Sequence, residues 1–155
     1  METVKKLITA LKKQGLTLAA AESASGGYLS YLLTQVPGSS TVFKGGLVVY
    51  SLEAKKRFLG LHPSLLKKTN GVSAQVAGLL AGSIRKKLNT SLAISIVGYA
   101  GPDAATGFRP GTFFIGLANK KGTLVKKIAL TGGRDAVRKK ACWVALKLIT
   151  NKLSV

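Results

Sequence analysis

Three short segments carry the side chains that could do chemistry: Glu22-Ser23-Ala24-Ser25-Gly26-Gly27, Tyr50-Ser51-Leu52-Glu53-Ala54-Lys55 and Gly98-Tyr99-Ala100-Gly101-Pro102-Asp103. Each follows an apolar run and joins hydroxyls, glycines or ionisable groups to what reads as a strand end. Such positions in open α/β sheets gather ligands, because free backbone N–H groups and the helix dipole favour negative charge there. The chemistry that fits these residue types is hydrolysis by a serine nucleophile. Its base would be a lysine whose amine loses its proton through desolvation or neighbouring cations. Every residue also has a structural reading. Ser23 and Ser25 suit helix caps, Gly26-Gly27 a tight turn, Lys55 a surface position beside Lys56 and Arg57, Tyr50 a packed strand end, and Asp103 a turn after Pro102.

Absences narrow the field. The single histidine, His62, lies beside Pro63 in a stretch that reads as loop, and Cys142 is the single cysteine. A zinc site lacks ligands, and a Ser-His-Asp triad has no matching motif around His62. There is no Walker loop, and Gly26-Gly27 lacks the spacing of a dinucleotide fingerprint. No metal and no cofactor are expected. One cysteine excludes an intrachain disulfide and points to a reducing, cytoplasmic compartment. No apolar run approaches the roughly 20 residues of a membrane helix, and the first 15 residues are amphipathic where a signal peptide is continuously apolar. Neither membrane contact nor secretion is expected.

The elements that must position these groups follow from apolar periodicity. Val4, Leu7, Ile8 and Leu11 form a helical stripe that stops at Gly15. Leu16 to Ala21 reads as a buried strand, Glu22 to Gly27 as a tight turn, and Leu29, Leu32, Leu33 and Val36 as a second helix closed by Pro37-Gly38. Gly46 to Tyr50 reads as a buried strand, and Ser51 to Leu59 as a short helix with a Ser cap and Glu53 in its first turn. Ser73 caps a long helix whose buried side is Val76, Leu79, Leu80, Ile84 and Leu88. Leu92 to Val97 is a strand, Thr112 to Ala118 and Thr123 to Leu130 a hairpin turned by Asn119-Lys120-Lys121-Gly122, and Asp135 to Lys152 a terminal helix. The sum is one α/β domain over residues 1–155, a mixed β-sheet flanked by helices.

Charge is the outlying feature: 24 Lys and Arg against 5 Asp and Glu among 155 residues, a net +19. A nucleic-acid binder concentrates its cations on one face and interleaves aromatics that stack on bases. Here the basic clusters are dispersed along the chain and aromatics are 6% of it, which favours a solvated basic surface over a nucleic-acid interface.

The ordered motifs carry a resemblance. Ala21 to Gly27, Val36 to Ser40, Phe43 to Gly46, Tyr50 to Lys55, Gly71-Val72-Ser73, Gly98 to Asp103 and Gly133 to Arg138 succeed one another as in the CinA C-terminal domain family, over essentially the whole chain. Many members are nicotinamide-nucleotide amidases of the PncC type, which hydrolyse nicotinamide mononucleotide to nicotinate mononucleotide and ammonia in pyridine-nucleotide salvage. The resemblance implies a metal-independent serine amidohydrolase with Ser23 as nucleophile and Lys55 as base. It also implies that Tyr50 orients the lysine or the substrate ring. N–H groups near Ser25, Gly26 and Gly27 would stabilise an oxyanion, Gly101 and Asp103 would border the pocket, and Arg138, with Arg134 second, would meet the phosphate. Its members self-associate, so a homodimer is implied.

This chain also departs from the family's common pattern. It has Ala24-Ser25 for Cys-Thr, Leu52 for Asn, Ala104-Ala105 for Gly-Gly, and Arg109-Pro110 for Pro-Val. Alanine for glycine matters wherever a loop needs positive φ. The alternative reading is therefore a weakened or inactive relative that serves as a nucleotide or nucleic-acid binding module.

Overall fold

The computed structural model describes residues 1–153. The chain runs α1 (Glu2–Lys13), β1 (Leu18–Glu22), α2 (Tyr28–Thr34), a 3-10 turn (Ser39–Thr41), β2 (Phe43–Val48), α3 (Leu52–Leu59), α4 (Pro63–Thr69), α5 (Ala74–Lys87), β3 (Leu92–Gly98), β4 (Thr112–Asn119), β5 (Gly122–Ala129) and α6 (Arg134–Lys152). The five strands form one mixed sheet in the order β2-β1-β3-β4-β5. Pairing is parallel across β2, β1 and β3, and antiparallel from β3 through β4 to β5. No helix among the described residues is long and apolar enough to cross a membrane.

Period-two alternation divides the strand side chains between two helical layers. Leu18 and Ala20 of β1, Ile94 and Ile96 of β3, and Phe113 and Ile115 of β4 pack with α1, α2 and α6. Ala19, Ala21, Ala93, Val97 and Phe114 face α4 and α5 instead. The chain leaves β1 by α2 on one face, reaches β2, and crosses by α3, α4 and α5 on the other face to β3. The carboxyl ends of β1 and β3 therefore border a switch point, the place where α/β sheets hold ligands.

One buried group governs how the chain leaves β1. Glu22 is fully buried at the end of the strand. Its carboxyl oxygens accept the N–H groups of Gly27 (3.0 Å), Leu29 (3.1 Å) and Ser30 (2.8 Å) and the Ser30 hydroxyl (2.6 Å). These donors belong to the open N-terminus of α2, whose cap residue, Gly27, sits at φ +92° and offers no side chain. Glu22 thus performs the capping expected of Ser23 and Ser25. The contact also explains Gly46 on β2, where a β-carbon would collide with the Ser30 hydroxyl.

Other differences from the sequence reading have local causes. The stretch around His62 is the start of α4 and not a loop: Pro63 opens the helix and His62 Nδ1 accepts the Ser64 N–H at 3.3 Å. β2 starts at Phe43, three residues before its expected start, and Tyr50 lies beyond its end. β2 is also not the buried strand expected: it lies at the edge of the sheet with Lys44 and Val48 exposed, and it carries a register shift opposite Leu18 and Ala19. Leu79 is 44% exposed, on the rim of the α5 stripe, while Ala77 and Ala81 take the buried positions.

Glu22→Gln keeps the side chain's size but turns an acceptor toward N–H groups as a donor. The expected cost is about 1–3 kcal/mol, measured as a lower urea midpoint at constant m-value. An unchanged midpoint would show that the start of α2 does not need this carboxyl group.

Candidate active site

Ser23 is the first residue beyond β1, and its N–H still donates to Ile96 O on β3 at 3.0 Å. Its carbonyl accepts the Gly26 N–H at 3.0 Å, closing a turn that holds the backbone on both sides of the side chain. Gly26 and Gly27 lie at φ +61° and +92°, a region open to glycine. A β-carbon on Gly26 would also strike the Arg138 guanidinium.

Lys55 approaches from α3. Ser51 caps that helix by accepting the Ala54 N–H at 3.0 Å, which brings Lys55 inward in the first turns. The lysine is 2% exposed. Its Nζ lies 3.0 Å from Ser23 Oγ, 2.9 Å from Val49 O and 3.4 Å from Tyr50 O. Burial lowers its pKa from 10.5 to about 8. A neutral amine has two N–H donors and one lone pair. Two carbonyls take the donors, and the lone pair is left to accept the Ser23 hydroxyl proton.

Ser23 and Lys55 open on a cavity of about 330 Å³, bordered by Tyr50, Leu52, Asn70, the Gly98–Gly101 backbone, Asp103 and Arg134. All three chemistry-bearing segments therefore converge. Tyr50 sends its exposed ring to the mouth, where its hydroxyl accepts from Arg134 Nη2 at 2.9 Å. Arg134 Nη1 donates to Gly101 O. Asp103 is exposed at the same edge.

Three expected contributors lie elsewhere. Arg138 does not line this cavity; its Nε donates to Ala24 O at 2.9 Å and its Nη2 to Ser25 O at 3.2 Å. It braces the loop behind the nucleophile, and Arg134 is the guanidinium at the cavity. The N–H groups of Gly26 and Gly27 are already engaged, by Ser23 O and by Glu22. Among the described residues, the Ala24 and Ser25 N–H groups next to Ser23 have no acceptor. Ser25 is fully buried, and its hydroxyl has no partner among the described residues.

The departures from the common pattern can also be placed. Leu52 lines the cavity and packs over Gly71, where a β-carbon would sit 2.6 Å from its Cδ2. Ala104 and Ala105 do not take positive φ; Gly101 (+90°) and Gly107 (+88°) do so on either side of them. Sequence reasoning missed Glu22 as an anchor, the Val49 carbonyl and Asn70. The available signal for Glu22 was an acid directly following Leu18 to Ala21 in a wholly buried strand.

The same arrangement of elements recurs in known proteins. Residues 1–153 match the CinA C-terminal domain. A CinA-like protein of Geobacter sulfurreducens is 41% identical over 143 residues, 92% of this chain and 35% of that protein. A putative competence-damage inducible protein of Bacillus subtilis is 37% identical over 153 residues, 96% of this chain and 37% of that protein. The chain thus spans little more than a third of these relatives. The crystal structure of a competence or damage-inducible protein from Enterobacter asburiae superposes with a TM-score of 0.94 at 35% identity, covering 98% of this chain and 96% of that one. Competence damage-inducible protein A from Klebsiella pneumoniae gives 0.96 at 28% identity, covering 99% and 96%. With a match that begins before α1 and ends after α6, and a fold shared at that level, the chain belongs to the CinA C-terminal domain family.

Proposed function

We propose that this domain is a nicotinamide-nucleotide amidase, cleaving the carboxamide of nicotinamide mononucleotide to give nicotinate mononucleotide and ammonia. The observation that carries the reading is the buried 3.0 Å contact between Ser23 Oγ and a lysine amine that no carboxylate neutralises among the described residues. In the proposed reaction the Lys55 lone pair takes the hydroxyl proton as Ser23 Oγ bonds to the carboxamide carbon. The carbonyl electrons move to oxygen, next to the uncommitted Ala24 and Ser25 N–H groups. The Lys55 ammonium returns its proton to the amide nitrogen, the C–N bond breaks and ammonia leaves. Water, deprotonated by Lys55, then opens the Ser23 ester and frees the carboxylate product.

The cavity's charges suit the two ends of this substrate. The pyridinium ring is cationic, and Asp103 with the exposed Tyr50 ring is the matching environment. The phosphate is anionic, and Arg134 presents a guanidinium fork that Tyr50 and Gly101 hold in place.

Ser23→Ala and Lys55→Ala should each lower ammonia release by about a thousandfold or more, with wild-type turnover unaffected by chelator. Turnover that survives both substitutions would end the serine–lysine reading, and a folded wild-type chain that releases no ammonia would promote the binding-module alternative. The amine must be neutral to accept a proton, so the reactive fraction grows as pH rises. At limiting substrate, kcat/KM should climb tenfold per pH unit below about pH 8 and level off above it. A profile flat from pH 6 to 9 would remove Lys55 as the base.

The two arginines separate by substrate. Arg134→Ala should raise KM for the mononucleotide about tenfold or more and leave KM for nicotinamide riboside, which lacks the phosphate, unchanged. Arg138→Ala should lower kcat for both substrates alike, since both use Ser23. A defect confined to the phosphorylated substrate would return Arg138 to the phosphate site.

A further inference from the structure

The fold gathers basic clusters that lie far apart in the sequence. Arg85 and Lys86 in the last turn of α5 and Lys120 and Lys121 in the β4–β5 turn flank a groove of about 590 Å³. Gly78 and Gly82 of α5 line it together with Leu79, Thr123 and Val125; a β-carbon on Gly82 would meet nothing within 4 Å, and one on Gly78 would lie 3.4 Å from Val125 Cγ2. No acidic residue occurs from Ala54 to Pro102 or from Ala104 to Arg134, so α5, β4 and β5 carry none. The acids that pair with lysines are on α1, α3 and α6: Glu2 with Lys6, Glu53 with Lys56 and Asp135 with Lys139. The helix dipole accounts for cations at the end of α5. It does not account for two more on the facing hairpin.

We propose that this groove binds the phosphate backbone of a nucleic-acid duplex. Four cations with no acid among the lining residues present an uncompensated positive surface, and the open space over Gly82 gives a phosphate ridge room between them. No aromatic lines the groove, so unstacked bases gain nothing there and a duplex, whose bases are already stacked, is the better partner. Binding is expected to be independent of base sequence. The four cations of the groove lie at the end of the sheet remote from Ser23, where Ala93 and Ala118 pair, whereas Gly98 and Phe113 pair near the cavity; the groove itself runs from the cations along α5 to Ala74. Occupancy therefore leaves the cavity open, and the inference stands whether or not the amidase reading does.

The test is fluorescence anisotropy of a labelled random-sequence DNA duplex against the full chain at several salt concentrations. A variant carrying Arg85→Gln, Lys86→Gln, Lys120→Gln and Lys121→Gln is compared with a control carrying Lys5→Gln, Lys6→Gln, Lys12→Gln and Lys13→Gln, which removes equal charge from α1. The groove variant should bind at least tenfold more weakly than wild type at low salt. Its slope of log affinity against log salt should be smaller by about three to four, the contribution of four phosphate contacts. The control should stay within about twofold of wild type. Equal losses in both variants would assign binding to diffuse charge, and tighter binding of poly-glutamate than of duplex at matched charge would assign the groove to an acidic polypeptide. Either result, or no binding at low salt, overturns the proposal. Lysine acetylation of the wild-type chain provides a second readout that needs no variant: bound duplex should protect Lys86, Lys120 and Lys121 and leave Lys5 and Lys12 reactive, and the reverse pattern rejects the site.

Discussion

Glu22 is a buried carboxyl group without a cationic partner among the described residues, and the placement of Ser23 depends on what it accepts. A buried polar group must find its hydrogen bonds within the protein, and the unpaired N–H groups of a helix start have the same need. Joining the two satisfies both, and it fixes the distance between the end of β1 and the start of α2. The turn between them must then close in five residues, with two glycines at positive φ. Ser23 is held by β3 through its N–H and by Gly26 through its carbonyl, while Arg138 reaches from α6 to the next two carbonyls. Four elements thus restrain the backbone on either side of one hydroxyl, which is how a reactive geometry is held before substrate arrives.

Lys55, the base of the proposed reaction, is placed by the opposite electrostatic strategy. A carboxylate beside Lys55 would keep the amine charged and useless as a proton acceptor. The site offers carbonyl oxygens instead, enough to orient the nitrogen but with no full negative charge. The same burial costs stability. In the unfolded chain the amine stays protonated up to about 10.5, and in the folded chain only to about 8. Folding is opposed by the full difference below pH 8, and the penalty fades as pH rises from 8 toward 10.5. A protein selected for stability alone would fill this position with an apolar side chain. A buried lysine without a carboxylate beside it is what the proposed proton transfer requires.

How much of this was legible in the sequence depended on whether the signal was local. α1, α5, α6 and the β4–β5 hairpin follow from apolar spacing and turn residues within a single segment, and the structure has them within a few residues. β2 was misjudged at its start because its glycines answer to Ser30 and to a register shift, neither of which is local. α4 was hidden by its length: seven residues give only two turns of periodicity. In the site, the resemblance paired Ser23 with Lys55, which by themselves also read as a helix cap and a surface lysine, and the two, 32 residues apart, meet only through parallel β1 and β2. The two arginines show the limit most clearly. Arg134 and Arg138 stand one helical turn apart, so spacing puts both near the loop, and side-chain direction alone sends one to the cavity and the other to the carbonyls behind it.

Of the departures from the family pattern, Ala24 and Leu52 line the cavity and the rest lie outside its lining, and the effect of each follows from what it touches. Ala104 and Ala105 keep ordinary backbone angles because Gly101 and Gly107 supply the positive φ of that loop, so the added β-carbons leave the chain path intact. Leu52 is one turn before Lys56 and packs with the Lys55 stem against Gly71, where the common pattern has a polar side chain. An asparagine there would bring hydrogen-bonding capacity toward the amine, whereas leucine withholds it. Since desolvation is what lowers the pKa of Lys55, an apolar wall acts in the direction that a neutral base requires. Leu52 therefore keeps the wall beside Lys55 apolar, the direction the proposed proton transfer needs, and Asp103, Arg134 and Tyr50 are the polar groups it leaves at the mouth of the same cavity.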